Sequence, residues 1–189
     1  MESIWFKSEW YKDIYNIPLV ECKKHYLNFG QFKGLNPNPL INTKYLFLNY
    51  LKNEKMKINL LDFIAETVMK SQDKSLSPHP LFDLDFYSKK NSLSFRHVGQ
   101  AHYHFENIGI NTGLYTSEIH QKFYEKGNYQ LFHLNFIDMY FLLGNYLMST
   151  DYSDKRFEID SEIAYKLKSN SELYDFIVSI RLGSSTVNF

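Results

Sequence analysis

An all-α fold is what this sequence predicts: an array of three to four two-helix repeats closed by a C-terminal helical cap. Three observations predict it. HYLNFGQFKGL at 25–35 aligns without gaps on HFENIGINTGL at 104–114, pairing His25 with His104, Asn28 with Asn107, Gly30 with Gly109, Gly34 with Gly113 and Leu35 with Leu114. PNPLINTKYL at 37–46 aligns on PHPLFDLDFY at 78–87, pairing Pro37 with Pro78, Pro39 with Pro80 and Leu40 with Leu81. No strand-like alternation of useful length and no two-residue hairpin signal occurs anywhere. Unit starts near Phe6, Ile41, Phe82 and His120 are 35, 41 and 38 residues apart, the spacing of helical-repeat arrays. The expected organisation is an array over 1–150, with units near 6–40, 41–81, 82–119 and 120–150, followed by capping helices and a tail at 151–189.

Each unit reads as two helices. The first starts at a polar cap (Ser8, Asn42, Asp83, and Thr116 or Ser117) and carries an aromatic pair. The second carries a His-aromatic dipeptide and ends at glycine. In the first unit, His25-Tyr26-Leu27 is expected to close the helix. Gly30 and Gly34 then let the chain turn, and Pro37 with Pro39 keep it extended. The second unit has diverged: its helix is NLLDFIAETVMKS, capped by Asn59, with Ser71-Gln72-Asp73 where the glycines would be. The fourth unit contains LFHLNFIDMYFLLGNYLM at 131–148. Phe132, Phe136, Met139, Tyr140, Leu143 and Leu147 form one helical face there, while Asn135, Asp138, Gly144 and Asn145 make it a poor membrane span. Beyond it, DSEIAYKLKS and the stretch from Ser171 to Gly183 read as two capped amphipathic helices, suited to closing the exposed end of an array.

Composition bounds the function. The chain is 189 residues long, 44% hydrophobic and 17% aromatic, so it is globular and carries a heavy aromatic load. Basic and acidic residues balance at 21 each, which leaves no global field to attract nucleic acid or anionic lipid. The local patch Lys52, Lys55 and Lys57 reads as solvated lysine. One cysteine, Cys22, cannot form an internal disulfide and reads as a buried structural thiol in a reducing compartment. Glu2 stands where a signal peptide would carry basic residues, so a cytoplasmic location is expected.

The pattern Phe-Asp-x-x-Tyr-Tyr-Leu, followed about seventeen residues later by His-Tyr-Leu-x-x-Gly-x-x-Glu-Gly-Arg-x-Pro-Asn-Pro-Leu-Phe-Asp, resembles repeats found in bacterial surface-polysaccharide glycosyltransferase proteins. The likeness covers residues 6 to about 125. HYLNFGQFKGLNPNPL is the closest copy, with Lys33 at the Glu position and Leu35 at the Arg position. PHPLFDLDFY is nearly as close, and Tyr87 to His104 has the seventeen-residue spacing, whereas Tyr11 to His25 is three residues shorter. The resemblance implies a neighbourhood: such repeats sit before or between the catalytic domains of capsule, O-antigen and rhamnan-type assembly enzymes. It implies a protein partner, a glycosyltransferase or a fused catalytic domain, and a place at the inner membrane only through that partner. It implies no catalytic residue and no cofactor.

Three functional readings follow. The first is a non-catalytic module that docks or spaces a glycosyltransferase, its matched residues His25, Gly30, Gly34, Pro37, Pro39, Pro78, Pro80, His104, Gly109 and Gly113 being structural. The second is a glycan-binding module that holds an oligosaccharide on the repeat aromatics Trp10, Tyr11, Tyr45, Phe86, Tyr87 and Tyr124. The third is a small enzyme at His97, His102 and His104. A zinc site there is disfavoured, because His97 and His104 share a helical face while His102 points elsewhere. His104 is also the counterpart of His25, which has no histidine neighbours. A buried, hydrogen-bonded histidine is therefore the economical account of both. Asp83-Leu84-Asp85 matches the transferase metal motif Asp-x-Asp, but Asp83 falls at a helix start, so no metal is assigned. No glycine-rich phosphate loop or parallel strand accompanies it.

Overall fold

The computed structural model describes residues 5–51, 58–126 and 136–148. Among these residues there are eight helices, a 3-10 turn at Leu19–Glu21 and no strand; Asn38 and Ile41 form a lone bridge. The helices are α1 (Ser8–Tyr15), α2 (22–33), α3 (Thr43–Tyr50), α4 (60–68), α5 (Leu84–Lys90), α6 (98–112), α7 (Glu118–Lys126) and α8 (Phe136–Met148). No described helix is long and apolar enough to cross a membrane. The Lys52/Lys55/Lys57 patch, Phe132 and everything expected of 151–189 lie outside the described residues.

The polar caps hold the helix starts, with one exception. Asn42 accepts from the Tyr45 N–H at 2.9 Å, Asp83 from Phe86 at 2.9 Å and Asn59 from Leu61 at 3.1 Å. Ser117 Oγ accepts from the His120 N–H at 3.1 Å at the start of α7. Each satisfies an N–H that the helix itself cannot. Ser8, expected as a cap, is instead the first residue of α1. Lys7 stands at the N-cap and makes no side-chain cap bond.

Helix α2 does not close at Leu27. It runs through a π turn at Tyr26–Gly30 and a 3-10 turn at Gln31–Lys33, ending at Gly34. Gly34 has φ 74° and Gly113 has φ 69°, the left-handed conformation that costs a residue with Cβ about 1–2 kcal/mol. Around each glycine the bonds are those of a Schellman motif. Leu35 N–H reaches Gly30 O at 2.9 Å and Gly34 N–H reaches Gln31 O at 3.3 Å. In α6, Leu114 to Gly109 is 2.8 Å and Gly113 to Ile110 is 3.4 Å. Gly30 and Gly109, expected to turn the chain, lie inside the helices. Pro39 does not keep it extended either: like its match Pro80, it follows the first residue of a tight turn, Ile41 N–H to Asn38 O at 3.4 Å and Phe82 N–H to His79 O at 3.0 Å.

The diverged second unit keeps the helix and changes its ending. α4 has its own π turn at Ile64–Val68, at the position of Tyr26–Gly30 and Phe105–Gly109. Where α4 lacks a left-handed glycine, the following unit takes its last carbonyls. Gly99 N–H donates to Met69 O at 2.8 Å, and Val98 N–H to Ser71 O at 3.0 Å. Gly99 must be glycine for this, since a Cβ would stand 2.8 Å from Met69 O.

Matched backbone ties join the segments 6–40, 41–81 and 82–119. Lys7 N–H donates to Pro37 O, Asn42 N–H to Pro78 O and Asp83 N–H to Thr116 O, at 3.1, 2.9 and 2.8 Å. Asn36 N–H donates to the Tyr15 hydroxyl and Ser77 N–H to that of Tyr50, both at 2.9 Å. Contacts also reach past the nearest unit, unlike those of an open curved stack. His102 Nε2–H donates to Leu40 O at 3.3 Å, Lys7 pairs with Glu106, and Trp10 packs edge-on to Phe141 of α8. Asn145 of α8 accepts from Asn36 and Asn42 Nδ2 at 3.0 and 3.2 Å. Asn145, which breaks the apolar run in the sequence, is thus the point where α8 fastens onto the first two units. On the expected apolar face of α8, Tyr140 and Leu143 are buried and Leu147 is half-buried.

Candidate functional site

The matched motif residues form the same constellation twice. Tyr11 projects from α1 to His25 on α2, its hydroxyl 2.9 Å from Nδ1; Tyr87 of α5 meets His104 of α6 at 2.7 Å. Burial raises the pKa of both phenols, so each hydroxyl keeps its proton, and the imidazole tautomer sets which partner donates. Each tyrosine also sits in a ring triad. Phe6, Tyr11 and Tyr26 have centroids 5.2–5.9 Å apart, and Phe82, Tyr87 and Phe105 have theirs 5.6–6.0 Å apart.

The first glycine of the motif completes the set. A Cβ on Gly30 would lie 2.3 Å from the Tyr11 hydroxyl, and one on Gly109 would lie 2.7 Å from that of Tyr87. The glycine is there so that the helix backbone can close over the hydroxyl. A Tyr–His pair with an exposed, acidified phenol could move protons. This pair has the opposite shift, and the glycine backbone covers one side of its oxygen. The histidines are half-buried and hydrogen-bonded.

The three candidate catalytic histidines part company. His97 is not on a helix with His104; it is the extended N-cap of α6, with Nδ1 3.0 Å from Met69 O. His102 is buried and bonded to Leu40 O, and His104 is held by Tyr87. Among the described residues no three His, Cys, Asp or Glu groups converge as a metal site. Asp83 caps α5 while Asp85 pairs with Lys74 at 3.0 Å, so the Asp-x-Asp pattern is divided between two unrelated tasks. Cys22 is buried, points its thiol at the carbonyls of Ile17 and Pro18, and has its pKa raised by desolvation.

A histidine cluster that the sequence did not single out lies deeper. His79, His102 and His120 are all buried around Phe82, Phe105 and Tyr140. His79 stacks on Tyr140 at 4.4 Å, and its Nδ1 accepts from Leu81 N–H at 3.2 Å. His79 Nε2 and His102 Nδ1 have no hydrogen-bond partner among the described residues. Desolvation lowers the pKa of all three, that of His120 to about 3, so they are neutral at pH 7.

The proposed glycan-facing aromatics divide into two that are buried and three, Trp10, Tyr45 and Phe86, that are half-buried. Tyr11 and Tyr87 are 0% exposed, which removes them as stacking platforms. Trp10 leans edge-on to Phe141 and Tyr15, and Tyr45 to Tyr50, while Phe86 is half-buried. The side chain of Tyr124 lies outside the described residues. An open groove of about 700 Å³ lies elsewhere, between α4 and the start of α6. Trp5, Phe95 and Tyr103 supply its rings, and Glu66, Lys70, His97 and Gln100 its polar groups. No spacing rule could have found it, because its rings come from the N-terminal segment, the α5–α6 loop and α6.

Comparison with known proteins adds no relative: no family model matches the chain, and no curated protein or solved structure matches it.

Proposed function

We propose that this chain is a non-catalytic helical-repeat module of bacterial surface-glycan assembly, built of two-helix units and serving to dock or space a glycosyltransferase. One observation carries the non-catalytic part. The Tyr–His–Gly set appears twice, and in both places the hydroxyl, the imidazole nitrogen and the glycine close on one another. The glycan-assembly part rests on the repeat pattern in the sequence. A cytoplasmic place, peripheral to the inner membrane through the partner, belongs to the same proposal.

The test is deletion of the gene and measurement of surface-polysaccharide length, with complementation by the wild-type chain and by His25→Gln/His104→Gln. Loss of polymer on deletion, restored by both chains, supports the reading. Unchanged polymer on deletion rejects glycan assembly. A folded His25→Gln/His104→Gln chain that fails to complement rejects the non-catalytic assignment. Binding of the purified chain to the glycosyltransferase encoded beside it, followed by calorimetry, tests docking directly.

A further inference from the structure

We infer that the groove between α4 and α6 is a binding site for a neutral oligosaccharide, lying apart from the repeat aromatics. Its lining dictates the ligand class. Tyr103 is 65% exposed, and Phe95 and Trp5 are half-buried, so flat ring surface faces the open space. Such faces take the C–H side of a pyranose ring as they take other apolar surface. Phe95 is itself held flat against Tyr87, centroids 5.8 Å apart and planes 11° apart, so it is a preset platform.

The polar groups are those that read hydroxyls. Lys70 pairs with Glu66, so the two formal charges on this wall cancel and no anion or cation is favoured. Gln100 uses its Oε1 to accept from Arg96 N–H at 2.8 Å, which orients the amide and leaves its NH₂ to donate. His97 Nδ1 lies 3.0 Å from Met69 O and 3.3 Å from the Gln100 N, which leaves Nε2 to donate or accept according to the tautomer. Rings with a few fixed donors and acceptors are the composition of a small-ligand cleft, and the volume falls within the usual range of about 300–1,000 Å³. The rim is open, since Glu66, Lys70, Gln100 and Tyr103 are all exposed, so a chain can pass through rather than be enclosed.

The floor is rigid. Gly99 and His97 are bonded to the Met69 carbonyl from one side, and the Trp5 ring stands edge-on to His102 at 5.7 Å from the other. The site is therefore set before ligand arrives, which lowers the ordering cost of binding.

The inference is independent of transferase docking, and the experiment separates them. Neutral rhamnose and glucose tetrasaccharides are titrated into the full chain, followed by calorimetry and tryptophan fluorescence, with adenosine and a sialylated tetrasaccharide as competing classes. Saturable binding of a neutral tetrasaccharide is expected, weakened roughly tenfold or more by Tyr103→Ala. Phe29→Ala, which removes an exposed ring outside the groove, leaves it unchanged. Binding of neither neutral sugar, equal binding by Tyr103→Ala and wild type, or binding of adenosine or the sialylated sugar alone overturns the assignment. If no sugar binds while gene deletion still abolishes polymer, only the groove assignment falls. If Tyr103→Ala loses sugar binding and deletion leaves polymer intact, only the glycan-assembly role falls.

Discussion

The first and third units share a Tyr–His–Gly set, and the second unit has Leu46, Phe63 and Val68 at the matched places. All three units nevertheless carry a π turn at the same point of the second helix. The comparison teaches that the hydroxyl and the glycine are one decision. Where the tyrosine oxygen reaches the helix, there is no room for a Cβ. Where leucine stands instead, there is no oxygen, and a buried valine replaces the glycine. The histidine follows the hydroxyl, since a buried O–H needs a partner and a leucine does not. Residues 41–81 thus carry buried apolar side chains in place of the polar strut, with the helix retained.

The largest expected effect comes from mixing the two solutions. Gly30→Val alone should lower stability by about 3 kcal/mol, because the valine would overlap the hydroxyl of the buried Tyr11. Adding Tyr11→Leu should restore more than half of that, read as urea midpoints. If the double variant is no better than the single, the coupling argument fails. The converse, Leu46→Tyr, should cost about 2 kcal/mol by overpacking and be relieved by Val68→Gly.

Acid sensitivity is expected from histidines outside these sets. His79, His102 and His120 have folded pKa values below the usual 6.5, so the unfolded chain takes up protons first. Their contribution is therefore complete above about pH 7 and is lost as pH falls through 6.5 toward the folded values. The slope is about 1.4 kcal/mol per pH unit for each fully titrating histidine. Denaturation series at pH 7.5, 6.5, 5.5 and 4.5 should show this, and His120→Asn should flatten the decline. An equal slope in that variant would show that His120 does not titrate on unfolding.

A finer contrast separates the two glycines. Gly30→Ala meets chiefly the Tyr11 oxygen at 2.3 Å, whereas Gly109→Ala meets both the Tyr87 oxygen and a Phe105 ring carbon at 2.7 Å. Tyr11→Phe should therefore rescue Gly30→Ala almost completely, while Tyr87→Phe should rescue Gly109→Ala only in part, measured as thermal midpoints. The smallest effect is that of Tyr87→Phe alone, about 1 kcal/mol for one lost hydrogen bond. Equal rescue at the two sites would mean that Phe105 can move aside.

Much of this was legible in residues taken a few at a time. The caps at Asn42, Asn59, Asp83 and Ser117 depend on a side chain reaching an N–H two or three residues on, and short-range geometry is written in order along the chain. That the second helix ends at glycine was legible for the same reason, although the first such end was expected at Leu27 and falls at Gly34. Ser8 misled because a good cap residue does not cap when the helix begins one residue earlier. Gly30 misled because a glycine required by a neighbour's oxygen looks, in sequence, like one required by φ.

The sequence by itself determined the helical class and the matched segments, since these follow from local propensity and from self-similarity. Only the tertiary structure decided which atoms meet across distance: the Tyr11 hydroxyl over Gly30, Asn145 between Asn36 and Asn42, and Trp5, Phe95 and Tyr103 around one groove. Those meetings depend on how helices cross and on which carbonyls remain to be satisfied. A linear pattern carries no record of either until the chain has folded.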